Sequence, residues 1–223
     1  MEEFRGERGM RGETETSTIG VATMRWTVVV VVLGAFGLAA CSSSLEGNGD
    51  VVTETRTVSA FDAVHANNGV QVFFTVDATA TGDVNLEVTT DSNLQEFLTT
   101  EVSGTRLTVS SDRTGGVTAT QAFDVSGSVA PLIDVSADNG AQVEVTGPID
   151  DVSLSADNGA QIHGEALDAA TVAVDADNGA QISVCATGAV SGEVKNGARL
   201  TVLCGGSISG VETSDGGTVS STP

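Results

Sequence analysis

The sequence predicts an all-β protein: a right-handed parallel β-helix or β-solenoid with coils of about 19 residues, preceded by a β-rich segment with one short helix. Three observations predict it. A six-residue string recurs at nearly constant spacing, apolar residues alternate with period two on both sides of it, and the composition is rich in Val, Thr, Ser and Gly but poor in aromatics.

The string Ala137-Asp138-Asn139-Gly140-Ala141-Gln142 returns as Ala156-Asp157-Asn158-Gly159-Ala160-Gln161 and Ala176-Asp177-Asn178-Gly179-Ala180-Gln181. It degrades to Val194-Lys195-Asn196-Gly197-Ala198-Arg199 and more faintly to Ser214-Asp215-Gly216-Gly217. Its glycines are spaced by 19, 20, 18 and 19 residues. A weaker sister, Ala66-Asn67-Asn68-Gly69-Val70-Gln71, lies in the front half. Before the corner, Ile133, Val135 and Ala137 alternate, as do Val152, Leu154 and Ala156, and Val172, Val174 and Ala176. After it come Val143 and Val145, Ile162, Ile182 and Val184, and Leu200 and Val202. Each repeat therefore reads as strand, Asn-Gly corner, strand. Stacking alone can bury its inner row. A right-handed coil is expected, since a left-handed one would want a six-residue aliphatic period.

Stacking predicts columns at the corners. Asn139, Asn158, Asn178 and Asn196 are expected to form an amide ladder, each bonded to the next. Gln142, Gln161 and Gln181 would form a second ladder ended by Arg199, and Ala141, Ala160, Ala180 and Ala198 would pack inside. The repeat-corner residues are thus Asp138, Asn139, Gly140, Asp157, Asn158, Gly159, Asp177, Asn178, Gly179, Asn196 and Gly197. Asp138, Asp157 and Asp177 would lie one strand spacing apart. Lys195 falls at the equivalent place on the next coil and can neutralise Asp177. These three carboxylates are weak candidates for Ca²⁺, the one cofactor considered. The alternative is a turn in which each Asp bonds its own backbone and faces solvent. The calcium-roll nonapeptide is absent. Cys185 and Cys204, 19 residues apart, should fall on neighbouring coils and form a disulfide. His163 aligns with Glu144, Ser183 and Thr201 on the outward row.

In the front half, 51–58, 69–76, 84–88 and 106–109 alternate as strands. Between them 91–98 reads as the short helix, with Ser92 as its cap and Leu94, Phe97 and Leu98 on one face. The stretch 112–127 reads as a loop or irregular crossing.

Residues 1–40 read as an address. An apolar run from Val28 ends in Leu38-Ala39-Ala40-Cys41, which is too short to span a bilayer but has the form of a secretory signal closing on a lipidation box at Cys41. Glu2, Glu3, Glu7, Glu13 and Glu15 contradict a basic signal start, so either translation begins at Met24 or a genuine N-terminal extension makes the segment an inefficient anchor. The chain then divides into leader and signal peptide (1–40), flexible tether (41–49), β-rich part (50–127), repeat solenoid (128–212) and C-terminal tail (213–223).

Composition excludes one class outright. The 223 residues carry 30 acidic and 9 basic side chains, a net charge of −21, too few cations to displace counterions from nucleic acid. Removal of forty residues at Cys41 would leave 183, with 25 acidic and 5 basic. Of enzymes, a carbohydrate-active β-helix is the alternative to consider. It needs a paired acid and base in a groove and aromatic platforms for sugar rings. The repeats offer almost no Arg or Lys, and there is no Tyr. No serine-nucleophile elbow, zinc helix or phosphate loop occurs. No catalytic residue is assigned.

The run Gly49-Asp50-Val51-Val52, then Arg56-Thr57-Val58 and Phe61-Asp62-Ala63-Val64, resembles the opening of the head GIN domain family of auto-transporter adhesins. So does Asp91-Ser92-Asn93-Leu94 leading through Thr100-Glu101-Val102 to Leu107-Thr108-Val109, and the Asp-Asn-Gly-Ala repeats are similar to the family's later half. The resemblance covers about residues 47–210. It implies an exported, β-helical, often lipid-anchored bacterial envelope protein, and it supplies no catalytic residues. The expectation is a non-enzymatic adhesin or interaction module, held to a membrane by lipid at Cys41, at the outer membrane if the cell has one. Its partner would be an envelope or surface protein or a glycan. A calcium-stabilised scaffold is the further alternative.

Overall fold

The Asp-Asn-Gly strings form corners because Asn and Gly accept a left-handed backbone that other residues avoid. In the computed structural model, which describes residues 44–111 and 116–222, φ is 51° at Asn139, 51° at Asn158, 47° at Asn178 and 50° at Asn196. The following glycines lie at 73° to 75°. The amide of Ala160 donates to Asp157 O at 3.0 Å and that of Ala180 to Asp177 O at 2.9 Å. Two left-handed central residues closed by such a bond make the type I′ turn that Asn-Gly favours. The faint copies adopt the same backbone: Asn68 and Gly69 lie at 59° and 71°, Asp215 and Gly216 at 47° and 82°.

The described residues are all-β apart from one 3-10 turn. From the front come β1 (Leu45–Glu46), β2 (Val51–Val58), β3 (Ala63–Asn67), β4 (Gln71–Val76) and β5 (Val84–Asp91). After the turn at Gln95–Phe97 follow β6 (Leu98–Ser103), β7 (Arg106–Ser111), β8 (Val117–Thr118), β9 (Asp124–Val129) and β10 (Asp134–Ala137). Two long strands, β11 (Gln142–Ala156) and β12 (Gln161–Ala176), run from corner to corner. Then come β13 (Gln181–Ala186), β14 (Ala189–Val194), β15 (Arg199–Leu203), β16 (Ser207–Thr213) and β17 (Thr218–Ser221).

Strands flanking successive corners pair in parallel, like residue opposite like. Ala66 lies opposite Ala137, Ala137 opposite Ala156, and Ala156 opposite Ala176. Beyond the corner, Gln71, Gln142, Gln161, Gln181 and Arg199 lie in one column. Period-two alternation sends the apolar row inward: Val135, Val143, Leu154, Ile162, Val174, Ile182 and Leu200 are all buried. Ala141, Ala160, Ala180 and Ala198 are fully buried beside them. Ile133 departs from the expected inner row and is 59% exposed, because β10 begins only at Asp134.

The sheet is mixed: the repeat strands pair in parallel, and the β-rich front half adds antiparallel pairs. β2 runs antiparallel to β5, β5 to β9, and β6 to β7. These pairs gather where β7 and β9 would otherwise leave an open end. An antiparallel hairpin covers such an end with a two-residue turn, here Gly104-Thr105, whereas another parallel rung needs a long crossover. Stacking order also departs from chain order. β3 and β4 pair on one side with β7 and β9, and on the other with β10 and β11. Residues 63–76 are therefore enclosed between segments that follow them.

Four local expectations change. The segment 91–98 is a single 3-10 turn, not a helix. Its start at Leu94 has no side-chain cap, so Ser92 does not serve as one. Leu94 and Leu98 are still buried, but the span between β5 and β6 is too short to propagate a helix. The stretch 112–127, expected as a loop, contributes β8 and the start of β9. The tail 213–223 supplies β17, which pairs with β15 in register from Arg199–Thr218 onward. The tether is short, since Leu45–Glu46 pair with β8, and Gly47 N donates to Thr118 O at 2.8 Å.

Asp91 holds that segment. It is fully buried, and its carboxylate accepts from Gly49 N at 2.7 Å, Thr120 N at 2.9 Å and the Thr120 hydroxyl. The Thr120 hydroxyl, with the Gly49, Thr120 and Gln121 amides, holds this carboxyl below the usual range against a burial that pushes it up. Arg56 reaches from β2 to the 3-10 turn, donating to Leu98 O and to Gln95 O at 2.9 Å. Cys185 and Cys204 are joined by a disulfide, their Cα atoms 5.2 Å apart.

Two predictions arise here. A Cβ at Gly179 meets open space, so Gly179→Ala suffers only the left-handed backbone, about 1–2 kcal/mol. At Gly192, where φ is 127°, a Cβ would overlap Val174 O, and Gly192→Ala should lose about 3 kcal/mol or more. Urea unfolding of the two variants should rank them in that order. Second, a depressed folded-state pKa means that the Asp91 anchor is complete above the ordinary aspartate value of about 3.9 and is lost as pH falls through the folded one. The protection factors of the amides at 45–49, taken against the intrinsic rate at each pH, should fall on acidification, and Asp91→Asn should lower them at neutral pH. Unchanged protection in both cases would count against the anchor.

Candidate functional site

Three places in the described residues bring polar side chains together: the corner column, a cluster on β3 and β10, and the outward face of the post-corner strands.

At the corners, stacking sets each turn beside the next. Gly159 N donates to Asn178 O, and Gly179 N to Asn196 O, both at 3.1 Å. The side chains do not form the expected Asn-to-Asn ladder. Asn178 Nδ2 donates to Asp157 Oδ1 at 2.7 Å, and Asn196 Nδ2 to Asp177 Oδ1 at 2.6 Å. Each amide thus reaches the carboxylate of the preceding unit, a stronger acceptor than a neutral amide oxygen. The same oxygens also accept from the next residue's backbone, Asn158 N at 2.7 Å and Asn178 N at 2.6 Å. In the front half, Asn139 Nδ2 donates to Asn67 Oδ1 at 2.8 Å. Asn158 instead turns to its own Asp157 at 3.0 Å.

Of the carboxylates that were candidates for Ca²⁺, Asp157 and Asp177 are engaged as turn acceptors and Asp138 lies 3.7 Å from His65. Among the described residues no group of three or more His, Cys, Asp or Glu is placed to hold a metal. Lys195 lies 3.2 Å from Glu193, 3.4 Å from Asp175 and 4.0 Å from Asp177. The Glu193 hydrogen bond and the Asp175 charge raise its pKa. The Gln column is present in register, but no hydrogen bond links the amides of Gln142, Gln161 and Gln181; Arg199 ends the column.

On β3 and β10, His65 Nδ1 lies 3.0 Å from Ser136 Oγ and 3.7 Å from Asp138 Oδ2. Sequence separation hid this cluster, although the front-half repeat aligns Ala66 with Ala137. A nucleophilic triad needs Ser on one ring nitrogen and the acid on the other. Here one nitrogen faces both, and the Ser136 hydroxyl donates to Val64 O at 3.0 Å. Arg106 approaches Asp134 at 3.5 Å and Ser136 at 3.4 Å. The cluster fastens neighbouring strands.

The outward face carries rows as regular as the inner ones. Ser126, Phe73, Glu144, His163, Ser183 and Thr201 lie side by side across six strands. Phe73 is 39% exposed between buried Val72 and Phe74. Concavities of about 480 and 320 Å³ flank it. Asp124, at the foot of the Gln column, is pushed up by burial, while Gln121 Nε2 donates to it at 2.8 Å. Sequence reasoning missed Phe73; the alternation of Val72 and Phe74 already turns it outward. Cys41 lies outside the described residues.

If Asn178 and Asp157 act on each other, Asn178→Ala and Asp157→Ala should each lose about 1 kcal/mol in urea unfolding, and the double variant clearly less than the sum. Full additivity would show the contact to be idle.

No curated protein matches the chain. A putative adhesin from Bacteroides fragilis superposes with a TM-score of 0.52 at 13% identity, over 80% of this chain and 99% of its own. A putative adhesin from Parabacteroides merdae gives 0.44 at 15% identity, over 81% and 99%. A putative lipid binding protein from Parabacteroides distasonis gives 0.44 at 13%, over 81% and 100%. The Bacteroides fragilis likeness is one of fold. Over residues 117–206 the chain matches the family described as "Putative auto-transporter adhesin, head GIN domain", the family its motifs resemble.

Proposed function

We propose that this chain is a non-enzymatic adhesion or interaction module of the cell envelope, tethered by a lipid on Cys41. The observation that carries the reading is the match of 117–206 to an adhesin family, on a fold whose ordered outward rows offer a broad contact face. The parallel units are coils of a β-solenoid, and their right-handed sense follows from the strong preference of parallel connections within one sheet. Residues 1–40 act as leader and signal, with Met24 as the start. The docked segment from Leu45 onward leaves only a few residues between the lipid and the folded part, so the domain sits close to its membrane. In a cell with two membranes, Ser42 after the modified Cys directs it to the outer one. Its partner is a surface protein or glycan, and no Ca²⁺ is required.

Cells expressing the full chain and fed a labelled lipid precursor should label it, and Cys41→Ser should abolish the label and release the protein from membranes. An exported but unlabelled wild-type chain would refute the anchor. Beads carrying the purified domain should retain envelope components or whole cells. Turnover of polysaccharide by the domain, with no retention, would refute the adhesion reading.

A further inference from the structure

Phe73 is out of place for its surroundings. Of the Phe residues at 61, 73, 74, 97 and 123, it alone is exposed, although it lies on β4, an inner strand paired on both sides. Its neighbours along the row are polar: Ser126 on one side, then Glu144 and His163 on the other. Leaving a ring in water forgoes the stabilisation of burying it, and no apolar neighbour extends the patch. Thr55, Asn85 and Glu87, on the antiparallel pair β2 and β5, line the larger concavity. The smaller one extends toward His163 and Glu165. Phe73 and Glu144 line both, so the two form one furrow across the strands, centred on the ring.

We infer that this furrow binds a saccharide chain without acidic groups, with one sugar ring lying on Phe73. The chemistry of the lining selects that class. A pyranose has one face of C–H bonds, which stacks on an aromatic ring, and a rim of hydroxyls, which needs donors and acceptors on both sides. Asn85 and the flanking hydroxyls both donate and accept, while Glu87 and Glu144 accept from sugar hydroxyls through charge-assisted bonds. A protein partner's apolar anchor would find a single ring among hydroxyls and carboxylates. No Lys or Arg lines either concavity, so uronates, sulfated sugars and phosphates meet the carboxylates of Glu87, Glu144 and Glu165, with His163 as the one group that could answer them. The furrow runs across β9, β4, β11 and β12, about 14 Å at the usual strand spacing, long enough for more than one ring.

This inference rests on the adhesion reading and names its partner. Full-length protein and Phe73→Ala would be applied to an array of neutral, amino and acidic oligosaccharides, alongside oligolysine. Wild type should retain neutral or amino sugars, Phe73→Ala should lose at least tenfold, and Phe73→Trp should keep binding. Because the ring is exposed, an unchanged urea midpoint for Phe73→Ala separates lost contact from lost fold. The inference is overturned if no neutral or amino sugar is held better by wild type than by Phe73→Ala. It is equally overturned if acidic sugars bind as well, or if oligolysine alone binds. Cell retention that survives Phe73→Ala would sink the saccharide site and leave the adhesion reading standing.

Discussion

The left-handed backbone at the Asn-Gly corners is the constraint on which the rest of the stack depends. A chain that turns there closes a hydrogen bond across four residues and sends the following strand out at a fixed phase. That phase decides which residues face inward. A slip of one residue would place Val143, Ile162 and Ile182 in water and Glu144, His163 and Ser183 in the core. The corner also locks neighbours together. Its backbone amide reaches the next unit and its side-chain amide reaches the previous carboxylate, so one short string specifies both turn and register.

This arrangement explains how an acidic protein can stack carboxylates. Asp157 and Asp177 lie on adjacent units, where like charges repel. Asn178 sits between them, its Nδ2 on Asp157 and its backbone N–H on Asp177. Lys195 lies beyond Asp177 and draws in Glu193 and Asp175 as well. At the other end of the stack the device changes. Asp91 and Arg56 are each satisfied by backbone groups, and they fasten β5 and β2 to the loops and the 3-10 turn beside them.

Much of the stack was legible because its signals are local. An Asn-Gly pair flanked by alternating Val and Ile predicts a corner and two strands wherever it occurs, and even Ser214-Asp215-Gly216-Gly217 behaves accordingly. What stayed hidden depends on long separations. Nothing near Asp91 announces that it will accept from Gly49 and Thr120. The His65–Ser136 contact joins residues 71 apart. Leu94, Phe97 and Leu98 have helical spacing, yet only Gln95–Phe97 turn, as a 3-10 element, and Leu98 already begins β6. The expected amide ladder does not form: Asn178 and Asn196 reach the preceding Asp and Asn158 its own Asp157, because a carboxylate outcompetes an amide. Phe73 was readable in phase, but what flanks it depends on where β2 and β5 settle.

The enclosure of residues 63–76 has a consequence for how the chain acquires its shape. From β10 onward each strand waits for a partner only about one repeat away, so the back of the stack assembles from near neighbours. β4 is different: Gln71 pairs with Asp124 and Gln142, more than fifty and seventy residues downstream. A chain made from its N-terminus therefore exposes Val72 and Phe74 before the strands that cover them exist. Residues 71–76 thus wait about seventy residues for their second partner, where the later strands wait about twenty. Until those partners exist, the edges of β4 are open to wrong pairing.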